Sequence, residues 1–226
     1  MGKTNGLVGG VTGKMGNLIG YYRRGNYLVR AYNPHTTNVR SRLQQRQRAR
    51  WIALMNLLRP AIKTLRVGFH FDTPGYELPN AMKENMSNVT AMTATSVEIN
   101  YNEIQLSKGK FEGWGNAGAI TSDNGVVEIG FIKEEGWENS LPSDYGSGSN
   151  AILQLAVYSV TEDKWFQTII GYNEVNNKIT VTLPPIFVTT TCHFYAFLAC
   201  PPVRVLGDGI PDYCSNTVYL GSATVE

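Results

Sequence analysis

The apolar positions of this chain follow two different periods. In the stretch 36–71, Trp51, Met55, Leu58, Ile62 and Leu65 recur at steps of four and three, which sets them on one face of a 3.6-residue repeat and predicts a helix with that face buried. Thr36, Thr37, Asn38 and Ser41 offer capping oxygens ahead of it, and Gly68 offers a left-handed stop behind it. Pro60 removes a backbone donor, so a kink or break is expected near Leu58 and Arg59. From about residue 94 the period falls to two. Segments around 97–101, 126–131, 152–158, 165–172, 178–183, 191–198 and 216–220 alternate or run apolar over strand lengths, with turn residues between them at 123–125, 162–164 and 176–177. Seven or eight short strands at this spacing predict an immunoglobulin-like antiparallel β-sandwich over 94–226, without the Cys…Trp…Cys hallmark of antibody domains.

Between residues 1 and 35, eight glycines interleave with Val8, Val11, Met15, Leu18 and Ile19. Gly13-Lys14 invites a phosphate-loop reading, but the upstream glycine and the hydroxyl residue after the lysine are both missing, and no apolar strand feeds it. The pattern instead predicts a β-hairpin with strands 17–23 and 27–32 around an Arg24-Gly25-Asn26 turn, a unit too small to be stable without something to lean on. His35 follows Pro34 in a turn and is read as a surface or capping residue. In 72–88, Pro74-Gly75 marks a turn, and Ala81, Met82 and Met86 form one face of a short helix.

Charge changes this picture most. The net +2 over 226 residues conceals a division: thirteen of the twenty Lys and Arg lie in 1–71 with no Asp or Glu, leaving seven basic residues against all eighteen acids. The two parts carry +13 and −11, so the basic half is expected to meet nucleic acid, the acidic part of its own chain, or the acidic part of another copy. A hydrophobic content of 42% supports a proper core, and no segment reaches the roughly 20 apolar residues that span a bilayer. The first residues lack the apolar core of a signal peptide, so synthesis in the cytoplasm without export is expected, and no membrane partner. Three cysteines, Cys192, Cys200 and Cys214, are read as small buried hydrophobes.

Candidate chemistry is sparse. Cys192, His193, Cys200 and Cys214 match no compact zinc spacing, and on a strand His193 points away from Cys192. Glu134, Glu135 and Glu138 flank Gly136-Trp137 ahead of a Gly/Ser-rich loop and are read as solvated or facing a basic neighbour. Asp208 and Asp212 fall short of a calcium loop. No serine nucleophile constellation is indicated. The chain is therefore read as non-enzymatic, with no cofactor and no metal.

With these residues in view, the chain resembles a family of uncharacterised proteins from Bacteroidetes and their phages, known as a domain of unknown function. The resemblance rests on Gly13-Lys14-Met15-Gly16-Asn17, on Val29-Arg30, and on the helix from Gln44 to Leu65-Arg66-Val67-Gly68-Phe69. It extends through Leu106-Ser107-Lys108-Gly109 and Ser215-Asn216-Thr217-Val218-Tyr219-Leu220-Gly221. Tyr21-Tyr22 stands where the family more often has a tryptophan. The resemblance implies the two-part architecture, and by analogy a virion part.

The expected fold is α+β and mainly β, with a basic arm, hairpin and kinked helix over 1–93 and an acidic sandwich over 94–226. The expected function is a structural subunit that self-assembles into a ring, tube or shell as a homo-oligomer, together with other virion proteins. Lys14, Arg23, Arg24, Arg30, Arg40, Arg42, Arg46, Arg48 and Arg50 would make its contacts, with Glu134, Glu135, Glu138 and Asp144 as the acidic counterpart. One alternative puts the same cations on phosphates, with Tyr21, Tyr22 and Tyr27 stacking on bases; another is a surface- or carbohydrate-binding module using Trp114, Trp137 and Trp165.

Overall fold

Pro60 divides the helical stretch as its chemistry requires. In a computed structural model that describes residues 2–3, 12–23, 25–34, 40–69, 76–91, 93, 95–109, 115–133, 151–172, 175, 178–200 and 213–226, helix α1 (Arg42–Leu58) ends in a 3-10 turn at Arg59–Ala61. Helix α2 (Ile62–Gly68) continues from that turn. The buried stripe differs from the expected one. Leu54, Leu57, Leu58, Ala61 and Leu65 are inside, while Trp51 is 45% exposed and Met55 and Ile62 are half-buried. Gly68 also has a different role: it is the last helical residue and not a left-handed stop, and Phe69 closes the helix by donating its backbone N–H to Leu65 O.

The chain divides into two units, residues 1–41 and 42–226, described separately here. In the first, β1 (Gly2–Lys3), β2 (Gly13–Met15), β3 (Leu18–Arg23) and β4 (Asn26–Ala31) make an antiparallel sheet in the order β1-β4-β3-β2. The expected hairpin is its β3-β4 pair, with Arg23 opposite Asn26.

In the second unit, α3 (Glu77–Asn85) buries Ala81 and Met82 and half-buries Met86, the face read from sequence. A ribbon of β5 (Val89–Ala91) and β6 (Val97–Ile99) follows. Then come β7 (Gly115–Asp123), β8 (Val126–Lys133), β9 (Ile152–Ser159), β10 (Lys164–Gly171), β11 (Lys178–Thr182), β12 (Thr191–Cys200), β13 (Tyr213–Cys214) and β14 (Val218–Thr224). Asn124 and Gly125, both at positive φ, close the tight β7-β8 hairpin as a type I′ turn does. One sheet runs β11-β8-β7; the other runs β10-β9-β12, with β13 and β14 both paired to β12. Taking β7, β8, β9, β10, β11, β12 and β14 as seven successive strands, the first, second and fifth form one sheet and the rest the other, an Ig-like sandwich.

The second sheet is covered on both sides. Leu153, Leu155 and Val157 of β9 and Cys192, Phe194, Ala196 and Leu198 of β12 face β8 and β11 in the sandwich core. The intervening Ala156, Tyr158, Tyr195, Phe197 and Ala199 pack against Leu54, Leu57, Leu58 and Leu65 of the helices, with Met82 and Val89. The unit is therefore three layers, helices on sheet on sheet. The expected boundary at 93/94 is corrected to 41/42, because the helices share a core with β9 and β12 and cannot be cut away from them.

Candidate interaction site

The buried stripe of α1 does not stop where the core does. Counting back from Leu54 in steps of three and four, Arg50, Gln47, Arg46 and Leu43 occupy the same side of the helix. There they overhang β5 rather than the sheet, and a groove of about 490 Å³ opens between them and Ser87, Val89, Thr90 and Ala91. Arg50 is anchored inside it, donating to Met86 O and, at 3.4 Å, to Gln47 Oε1, while its buried Nε has no acceptor among the described residues. Gln47 Nε2 in turn lies 3.8 Å from Met86 Sδ. Beside it, sharing Ser87 and Thr90 with the groove, a second cleft of about 400 Å³ is lined by Asn88, Glu98, Ile99, Asn100 and Glu103. A basic recess and an acidic one thus adjoin at β5.

The N-terminal sheet has two unlike faces. Its register puts Met15, Leu18, Val29 and Ala31, with Tyr22 beside Tyr27, on one face, and Lys14, Ile19, Arg30, Tyr21, Leu28 and Arg23 on the other. Tyr22 and Tyr27 pack at 4.9 Å between centroids, and Lys14 Nζ sits 3.9 Å over the Tyr32 ring. Of its described residues only Gly20 is buried, and Leu18 and Tyr22 are about half exposed.

The residues expected to make contacts therefore split. Lys14, Arg23 and Arg30 are exposed on the N-terminal sheet, Arg40 precedes α1, and Arg42, Arg46 and Arg48 are exposed on the helix. Arg50 is half-buried and hydrogen-bonded, so it is a strut of the groove rather than a solvated cation. Arg24 and all four acids of the expected counterpart, Glu134, Glu135, Glu138 and Asp144, lie outside the described residues, as do His35, Trp114 and Trp137. Among the described residues, Glu98 and Glu103, which the sequence did not single out, line the cleft that adjoins the arginine groove.

Other candidates are structural. Cys192 and Cys200 belong to the sandwich core and Cys214 to the helical one, so the three thiols do not share a site. Burial raises the pKa of Cys192. His193 stacks on Tyr101 at 4.8 Å and bonds Tyr219 OH through Nδ1 at 2.9 Å; burial lowers its pKa. Trp165, offered as an exposed ligand platform, is instead half-buried between Tyr158 and Tyr195 and donates to Leu57 O at 2.7 Å. Burial also raises the pKa of Tyr101, Tyr158 and Tyr195 in this aromatic layer, and for Tyr158 its hydrogen bond to Asp163 adds to the shift. No helix among the described residues is long and apolar enough to cross a membrane.

The motifs that carried the resemblance meet in one knot. Thr217 Oγ1 accepts from the backbone N–H groups of Leu106 and Ser107, both at 2.8 Å, and Asn216 Oδ1 accepts from Gly109 N at 3.1 Å. Gly68 O accepts from Lys108 N at 3.0 Å and from Cys214 Sγ at 3.3 Å. These residues hold α2 to the sheet.

Among solved structures, the chain is similar to the fibronectin type III domain of the human collagen α-1(XX) chain, at 13% identity and a TM-score of 0.31, over 53% of this chain and 85% of that one. Comparison with curated proteins gives no match. The model of the family DUF6266, described as a family of unknown function, matches residues 10–205, and the chain belongs to that family.

Proposed function

We propose that this chain is a non-enzymatic structural subunit that assembles with copies of itself, its basic N-terminal half packing on acidic surfaces of neighbouring copies. One observation carries the reading: with no acid in 1–71, Lys14, Arg23 and Arg30 stand exposed on the N-terminal sheet and Arg42, Arg46 and Arg48 on the overhanging end of α1. A four-stranded sheet that buries so little leans on a partner, and opposite net charges on the two parts of the chain make another copy a fitting one. The tyrosine pair and the lysine stacked on Tyr32 favour a second reading, a basic platform for nucleic acid. Light scattering across protein concentration and salt, with and without DNA, separates the two. Self-assembly requires an oligomer free of nucleic acid. A monomer at every concentration that binds DNA, with affinity falling about one logarithmic unit per phosphate contacted as salt rises tenfold, refutes it.

A further inference from the structure

We infer that the two recesses adjoining at β5 form a two-fold contact between copies, in which the N-terminal end of α1 of each copy enters the acidic cleft of the other. The inference rests on the self-assembly reading and specifies its partner surface. Three side chains of α1 present a pattern of charge, apolar, charge: Arg42, Leu43 and Arg46, with Leu43 75% exposed. The adjoining cleft presents the complementary charge, with Glu98 and Glu103 in its lining. Neither Arg42 nor Arg46 nor either glutamate makes an ion pair with a described residue, so both signs are left to be met from outside; the Lys108–Glu84 and Lys178–Glu128 pairs lie elsewhere.

The arrangement is self-complementary because the basic and acidic recesses are adjacent, sharing Ser87 and Thr90. A two-fold axis near β5 brings basic onto acidic twice in one contact, which is what an isologous interface needs. Leu43, costly to leave in water, is covered in the contact. A nucleic acid fits this place less well, since phosphates drawn to Arg42 and Arg46 would lie beside two carboxylates. The contact closes on itself, so any growth beyond two copies must use a different surface.

Charge exchange tests this on the full chain. The variant Arg42→Glu/Arg46→Glu should be acidic in both recesses and the variant Glu98→Arg/Glu103→Arg basic in both. Each alone should lose the two-fold contact through repulsion, and an equimolar mixture should restore it, read as a mixed pair by light scattering and native mass spectrometry. The quadruple exchange on one chain should restore the homotypic pair. Circular dichroism confirms that each variant is folded, and Leu43→Asp, which changes no charge of the proposed pairs, should weaken the contact at least tenfold. If the two single-sign variants assemble as the wild type does, or the mixture does not pair, the two-fold contact is overturned while self-assembly stands. If the wild type is monomeric at every concentration and salt, both fall. If a single-stranded oligonucleotide binds the wild type and is lost with Arg42→Glu/Arg46→Glu, the recess is a phosphate site and the inference is overturned.

Discussion

The replacement Gly68→Ala turns the packing of the motif knot into a measurement whose sign is in question. Gly68 is the last residue of α2 and its φ is not in the left-handed region, so alanine there is conformationally allowed. In an open helix the change would stabilise by roughly 0.5–1 kcal/mol. Here a methyl group would lie 2.2 Å from Leu106 O and 2.7 Å from Ser107 Cα, and both are backbone atoms. They cannot swing aside, because Leu106 N and Ser107 N are held by Thr217 Oγ1 and Lys108 N by Gly68 O itself. Forcing an extra methyl into such a contact costs typically about 1–3 kcal/mol, toward the upper end when backbone must move. The net is a loss of roughly 1–2 kcal/mol, or about 2–8 °C in melting temperature for a chain of this size. Urea unfolding followed by far-ultraviolet circular dichroism reads it. A Gly68→Ala variant as stable as the wild type, or more so, would show that α2 does not press on the 106–109 segment and that the knot is wrongly drawn.

Three further outcomes are expected. Leu54→Ala, at a fully buried position, should cost about 2.7–5 kcal/mol, whereas Trp51→Ala should change monomer stability by less than about 1 kcal/mol; equal denaturant midpoints would reverse the assignment of the α1 face. His193 is held neutral by burial, so its contribution to stability is present above its unfolded pKa of about 6.5 and is lost as pH falls from there through the lowered folded value; the stability difference between wild type and His193→Gln should shrink between pH 7.5 and pH 5, and a difference independent of pH would refute it. Removing residues 1–41 should leave the melting transition of residues 42–226 and the two-fold contact in place while abolishing growth beyond two copies; a truncated chain that is unfolded would show that the N-terminal sheet is part of the same core.

Much of the fold was legible because it rests on local rules. The hairpin, the break at Pro60, the α3 face and most sandwich strands follow from turn residues and period alone. The α1 face was misread because two stripes satisfy the same period: Trp51-Met55-Leu58-Ile62-Leu65 and Leu54-Leu57/Leu58-Ala61-Leu65 differ by a small rotation, and only packing on Tyr195 and Phe197 selects between them. Strand β7 was not read because Gly-Asn-Ala-Gly-Ala has little strand propensity; it pairs with β8 where Gly115 leaves room for the Phe131 ring, which a β-carbon would approach to 2.2 Å. The wrong boundary at 93/94 had a signal that went unused. Nearly unbroken apolar runs such as Ile152–Ser159 mark strands buried on both faces, and a second face needs a second layer. The acids at 134–144 lie outside the described residues, and among the described ones the cleft beside the arginine groove is lined by Glu98 and Glu103, two isolated residues with no local pattern.

The contrast between the two units bears on when this chain becomes ordered as a whole. Ordering each residue costs roughly 1–2 kcal/mol of backbone entropy, so the described strands of the N-terminal sheet together carry an expense in the tens of kcal/mol. Residues 42–226 offset theirs with two cores in which the large side chains of β9 and β12 are almost wholly buried. The N-terminal sheet has only Gly20 buried among its described residues, and its uncharged face, with Met15, Leu18, Tyr22 and Tyr27, remains over a third exposed. Its hydrogen bonds contribute about 1 kcal/mol each at best when they replace bonds to water. On the self-assembly reading such a sheet would gain its stability from the copy that covers it, its folding and its binding would be one event, and the +13 of residues 1–71 would decide which surfaces take part. Assembly would then be driven by the same burial that completes the fold, with charge setting the partner and the apolar face supplying the free energy.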